Sequence, residues 1–329
     1  MIKIAVDAMG GDNAPEAVVR GALAAAGERG DLEIVLVGQE SRIRALTSLP
    51  DNVSLVPATE VIGNEEKPLM ALRRKRDSSL VVGLQMLKEG AVHALVSAGN
   101  TGAFMAGASL IVGRIPGILK PALAPVLPTV DGRGTVALDI GATMDPKPDN
   151  LLQYARMGSL YAQAILDLAR PRVGLLNVGV EPQKGNELAK EAYALLAQSS
   201  LNFVGNIEAR EVMEGKTDVL ICDGFTGNVL LKSMEGVAQA LFSQMKSAIS
   251  KGGVQSKLGA LLLKNTLQAL KDKLDYSQHG GSPLLGINGV CIKCHGSADA
   301  TTVKNAVLKQ AYLLAKGRTI ALITKITEG

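Results

Sequence analysis

An α/β fold with a largely parallel sheet covered by helices on both faces is what the sequence predicts. Short β-branched runs alternate with helical stretches almost throughout the 329 residues, the pattern of repeated strand–helix units. Glycine is abundant, 36 residues against 3% aromatics, which suits many tight turns between strands and helices. Several strand ends carry glycine beside a small polar residue and then open a helix.

In chain order, strands are expected at 2–7, 33–37, 53–56, 94–97, 122–126, 135–139, 172–177, 201–205, 219–222 and 290–294, each a short apolar run bounded by turn residues. A helix is expected over Leu80 to Lys88. No internal repeat, heptad or low-complexity tract interrupts the series, and the stretch Ser250 to Ser256 is too short to part independent domains. The chain therefore reads as one unit over 1–329, with a helical lobe projecting at about 229–275.

Composition closes off several functions. A net charge of +4 is too small to imply nucleic-acid binding, and the scarcity of aromatics argues against stacking on bases. Asp7 and Asp12 interrupt the apolar run a signal peptide would need, and no stretch of about 18 uncharged apolar residues occurs. A cytoplasmic protein, at most lying on a membrane, is expected. Cys291-Ile-Lys-Cys294-His295 matches a c-type haem attachment pattern, but haem attachment normally follows export. Zinc is disfavoured by the lack of a second ligand pair, leaving a strand that ends in a turn at Gly296.

Five turns carry the chemistry: Asp7 to Asp12, Ser97 to Gly102, Asp139 to Thr143, Asn177 to Gly179 and Asp223 to Asn228. In a parallel sheet such turns share the edge at the carboxyl ends of the strands, so backbone N–H groups and small polar side chains collect on one rim. Ser97-Ala-Gly-Asn-Thr-Gly102 suits an anion, although it lacks the Gly-Lys-Ser/Thr ending of a P-loop. No G-x-S-x-G elbow is present. His93 reads as structural, whereas His279 and His295 sit in glycine-bearing loops as candidate acids or bases.

Two surface features have alternative readings. Arg73, Arg74, Lys75 and Arg76 form either a solvated face or a docking patch for an acidic partner. Leu258, Leu261, Leu262 and Leu263 lie between Lys257 and Lys264, and Leu263, Leu267, Leu270 and Leu274 continue one stripe; it either packs in a core or dimer, inserts at a lipid surface, or guides an acyl chain.

Six words in order, Val6 to Pro15, Arg73 to Ser79, Ser97 to Gly102, Leu138 to Ala142 onward, Cys222 to Asn228 and His279 to Gly286, resemble the bacterial phosphate acyltransferases over the whole chain. That resemblance implies a three-layer α/β/α sandwich with a largely parallel, mixed sheet, related to isopropylmalate dehydrogenase and phosphotransacetylase. It implies formation of acyl phosphate from fatty acyl-[acyl carrier protein] and inorganic phosphate, feeding a membrane glycerol-3-phosphate acyltransferase in phospholipid synthesis. A homodimer with peripheral membrane association is implied, with no cofactor and no metal.

The reaction fits the inventory, because phosphate attack on a thioester needs oxyanion donors, and a thiol leaving group with a pKa near ~8.5 needs little acid help. Asn100, Lys184, Asp223, Asn228 and His279 are the expected catalytic residues. Gly10, Gly11, Asp12, Thr101, Gly102, Asn177, Gly179, Gly185 and Gly224 are expected to bind substrate, Arg73, Arg74, Lys75 and Arg76 to dock the carrier protein, and Leu258, Leu261, Leu262 and Leu263 to touch membrane. Competing readings are a short-chain phosphotransacetylase using acyl-coenzyme A, a non-catalytic lipid-binding protein, and a nicotinamide dehydrogenase of the same fold. The last lacks a well-placed dinucleotide fingerprint.

Overall fold

The structure is a computed structural model and describes residues 1–274, 280–317 and 323, the side chains of 271–274 excepted. Among the described residues twelve strands form two sheets flanked by helices. The first sheet contains β1 (Ile2–Asp7), β2 (Leu32–Gly38), β3 (Val53–Pro57), β4 (Ala94–Ser97) and β5 (Ala122–Leu123). The second contains β6 (Val126–Leu127), β7 (Thr135–Leu138), β8 (Arg172–Asn177), β9 (Asn202–Glu208) and β10 (Val219–Ile221). The chain then returns to the first sheet through β11 (Ser282–Leu285) and β12 (Val290–Lys293).

Strand order is β3-β2-β1-β4-β12-β11-β5 in the first sheet and β6-β7-β10-β8-β9 in the second. All pairings are parallel except those of β11 with β12 and β5, and that of β6 with β7. The parallel strands are apolar nearly throughout, as strands covered on both faces must be. Helix Glu16–Glu28 buries Val18, Val19, Ala22, Ala25 and Ala26, the i, i+3/i+4 spacing of one helical face. One core cluster contains residues of both sheets, joined through Tyr154, Met157 and Tyr161 of helix Pro148–Leu166. The Tyr161 hydroxyl donates to Gln310 Oε1 at 2.5 Å, tying that helix to the C-terminal one.

Two expectations are corrected. The stretch 122–126 is not one strand but two, β5 and β6, in different sheets, because Pro125 has no N–H with which to continue a ladder. Ala124 N–H bonds to Pro283 O in the first sheet, and Pro125 O accepts from Ala137 N–H in the second. The expected strands also leave out the run after Gly281, where Ser282–Leu285 is a buried strand, antiparallel to both neighbours.

From residue 229 most side chains are exposed or half-buried. Helix Gly224–Lys251 has 28 residues and buries only Gly224, Gly227 and Leu231, while Val254–Leu262 buries none. Among the described residues no helix is long and apolar enough to cross a membrane.

Candidate functional site

The rim of the first sheet is built by the chain leaving β1, β4 and β12. Gly10 lies so close to the β4 turn that a Cβ there would meet Gly99 N at 2.7 Å, and Gly11 has φ +106°. Beneath them Asp7 is buried, and Ser97 Oγ donates to its Oδ2 at 2.7 Å. Burial raises the Asp7 carboxyl above its ordinary value, against the hydroxyls of Ser79 and Ser97, the Met9 amide and the Lys293 charge. Asp12 N–H bonds to Gly296 O at 2.8 Å, joining the β1 and β12 turns, and Asn64 Nδ2 donates to Asp12 Oδ1 at 2.9 Å.

Asn100 caps helix Thr101–Gly107 by accepting from Ala103 N–H at 2.9 Å, while its Nδ2 reaches the carbonyls of Gly63, Asn64 and Glu66. Both polar atoms of this side chain are thus engaged with protein. Thr101 and Gly102 contribute the first-turn amides, which have no intrahelical acceptor.

The second rim follows β7, β8 and β10. Asp139, fully buried, accepts from the amides of Gly141, Ala142 and Thr143 at 3.2, 2.8 and 2.6 Å. A fourth donor is the Leu123 amide on β5 of the other sheet, yet burial outweighs the four and lifts the carboxyl to about 6. Asp223 caps the 28-residue helix through Thr226 N–H at 2.8 Å and Thr226 Oγ1 at 2.7 Å, and Gly224 N–H bonds to Thr143 O. Exposed Asn228 faces Gly141 across this junction.

After β8, Asn177 closes its own loop by donating to Lys184 O at 3.1 Å and receiving Val178 N–H, with Gly185 packed against its amide group. Lys184 is exposed, its stem lies over Gly179, and its ammonium forms no ion pair among the described residues.

Topology brings the two rims together. β5 runs parallel to β4 and leaves the first sheet at its carboxyl edge, whereas β6 runs against β7 and so enters the second sheet at that sheet's carboxyl edge. The rims therefore meet where residues 124 and 125 cross, beside the Leu123–Asp139 contact. A cavity of about 680 Å³ opens at the carboxyl ends of β8, β9 and β10, with apolar walls from Leu151, Leu175, Leu176, Leu188 and Leu230. Asn177, Gly185 and Asp223 lie on it.

The expected residues thus divide between the two rims, Gly10, Gly11, Asp12, Asn100, Thr101 and Gly102 on one and Asn177, Gly179, Lys184, Gly185, Asp223, Gly224 and Asn228 on the other. His279 lies outside the described residues. His295 is exposed just beyond β12, its Nδ1 2.8 Å from Ser297 Oγ, and His93 accepts Lys3 N–H through Nδ1. Arg73, Arg74 and Arg76 are exposed, but Lys75 is half-buried against Glu66 Oε1 at 2.6 Å and Val61 O. Leu258, Leu261, Leu262 and Leu263 are all exposed.

Sequence reasoning missed Asp139 as a charged anchor and Lys293 altogether. The available signal for Lys293 was a lysine inside an apolar strand, Val290-Cys-Ile-Lys293.

Architecture and rim define an α/β protein of the phosphotransacetylase fold. The chain superposes on a phosphotransacetylase from Streptococcus pyogenes with a TM-score of 0.64 at 17% identity, covering 96% of this chain and 94% of that one. A branched-chain phosphotransacylase from Enterococcus faecalis gives 0.61 at 13% identity, covering 95% and 99%. The family model described as Fatty acid synthesis protein matches residues 2–319. A phosphate acyltransferase of Bacillus cereus is 48% identical over 99% of this chain and 98% of its own, and one of Brevibacillus brevis 52% over 93% and 92%. The chain belongs to this phosphate acyltransferase family of fatty acid synthesis and is an acyltransferase.

Proposed function

We propose that the chain forms acyl phosphate from fatty acyl-[acyl carrier protein] and inorganic phosphate, supplying a membrane glycerol-3-phosphate acyltransferase in phospholipid synthesis. The observation that carries this reading is the apolar cavity opening onto a rim of amides and polar side chains, with a second such rim opposite. The volume lies in the range of sites that enclose a flexible apolar ligand. An acyl chain along Leu175, Leu176, Leu188 and Leu230 leaves its thioester carbonyl near Asn177 and Asp223. A phosphate oxygen attacks that carbonyl carbon, the carbon–oxygen bond forms, and the tetrahedral oxyanion collapses with loss of the carrier's thiolate. Arg210 lines the cavity but is paired with Glu208, so Lys184, next to the lining Gly185 and with no ion pair among the described residues, is the cation assigned to the oxyanion, and Asp223 and Asn228 hold the turn across from it. The rate gain is mainly one of proximity between two anion-bearing reactants.

Arg73, Arg74 and Arg76 supply the exposed positive surface for an acidic carrier protein. Leu258, Leu261, Leu262 and Leu263, on short helices with no buried face, suit peripheral membrane contact, and a homodimer is the competing use of that face.

The test is thiol release from long-chain acyl carrier protein with and without inorganic phosphate, trapping product with hydroxylamine and running acyl-coenzyme A in parallel. Phosphate-dependent release selective for the carrier supports the proposal. Turnover only with short acyl-coenzyme A makes the chain a phosphotransacetylase, and none with either donor sinks the proposal.

A further inference from the structure

Resting on the reading that inorganic phosphate is a substrate, we infer that Lys293 is its binding cation, held at the end of β12 on the rim opposite the apolar cavity. Among the described residues it is the one buried lysine or arginine, at 7% exposure. It stands in register with Ser97, the residue that ends β4 and begins the Ser97–Gly102 turn.

Its Nζ donates to the Cys294 carbonyl. Among the described residues it makes no ion pair, because the carboxylate beneath it, Asp7, is already engaged by Ser97, Ser79 and the Met9 amide. A buried ammonium with a single carbonyl acceptor is costly to keep unless an anion completes it. The charged and titratable groups around it are Asp7 on β1, Asp12 on the following turn and the thiol of Cys294, the next residue after β12. Burial pushes the ammonium down to about 8 against the pull of Cys294, Asp7 and Asp12, so it remains mostly charged at neutral pH in surroundings whose burial opposes that charge. A phosphate dianion on this rim meets the glycine turns and first-turn amides at one side and the acyl carbonyl, across the 124–125 crossing, at the other. The two anionic reactants are thereby held by different sheets.

Inorganic phosphate is the probe. Wild-type melting temperature should rise on adding phosphate, and Lys293→Met, which removes a buried charge, should melt higher without phosphate and lose the rise. In thiol-release assays Lys293→Met should raise the phosphate KM about tenfold or more with the acyl-donor KM unchanged, and Lys293→Arg should recover part of the loss. An unchanged phosphate-induced rise or an unchanged phosphate KM in Lys293→Met overturns the assignment. The pH profile is a second readout: phosphate stays dianionic above pH 8, so wild-type affinity should fall as the burial-depressed ammonium loses its proton, and Lys293→Met should lack that fall; the same alkaline fall in Lys293→Met overturns the assignment. Lys293-dependent phosphate binding without thiol release from the carrier protein would sink the proposed acyl-carrier reading alone. Normal turnover with an unaltered phosphate KM in the variant would sink this inference alone.

Discussion

Ser97 Oγ sits 2.7 Å from Asp7 Oδ2 in the interior, a bond between the last residues of two neighbouring strands that are 90 positions apart in sequence. Ser97→Ala takes a donor from a buried carboxyl without giving it water. The expected loss is about 1–3 kcal/mol of unfolding free energy in urea, with an unchanged dependence on urea concentration. Wild-type stability in that variant would mean that Ser79 and the Met9 amide suffice.

Asp139 gives a pH signature. Its carboxyl titrates near 6 in the folded chain against an ordinary 3.8, so between those values the folded state holds a proton that the unfolded state has released. Its contribution to stability therefore grows as pH falls through 6 and is complete below about 3.9, a swing of about 3 kcal/mol. The difference between wild-type and Asp139→Asn unfolding curves should rise toward acid over that window. A level difference would show that the four amides hold the carboxyl at its ordinary value.

Asn100→Ala removes a helix cap and strands the carbonyls of Gly63, Asn64 and Glu66. The expected destabilisation is about 2–3 kcal/mol. Turnover should drop more than phosphate affinity, since the side chain orders a loop and its atoms face protein. Steady-state kinetics at varied phosphate separates the two, and a pure rise in the phosphate KM would assign Asn100 a direct contact.

Leu258, Leu261 and Leu262 are more than half exposed. Changing all three to Ser should leave stability within about 0.5 kcal/mol per site and leave turnover on soluble donor intact, while sedimentation with anionic vesicles is lost. Dissociation of a dimer by the same substitutions, read by light scattering, would instead assign the face to self-association.

Much of this architecture is written locally. β1, β4 and β8 are legible to the residue because each is a short apolar run closed by a polar residue and a turn, a pattern that depends on nothing distant. β11 is hidden because a four-residue strand containing Pro283 and flanked by Gly281 and Gly286 has the composition of a loop; its partners β12 and β5 make it a strand. The rim was legible as a set of turns, since Asp7 and Asn177 end strands while Asn100 and Asp223 cap helices. What Asp139 and Lys293 do was not, because burial of a charge is a property of the residues packed around it. Nor does any local pattern announce that Leu175 and Leu230 face the same cavity.

The crossing at 124–125 has no slack, since Ala124 is bonded into one sheet and Pro125 into the other. The distance between the rims is thus fixed by covalent bond lengths and two ladders, as a ruler fixes a gap. One glycine inserted between Ala124 and Pro125 would widen that gap while leaving every strand its own partners. On the proposed placement of phosphate and acyl group, such a chain would fold and bind each reactant alone, yet bring them together badly, and this dipeptide would be the store of the reaction's spacing.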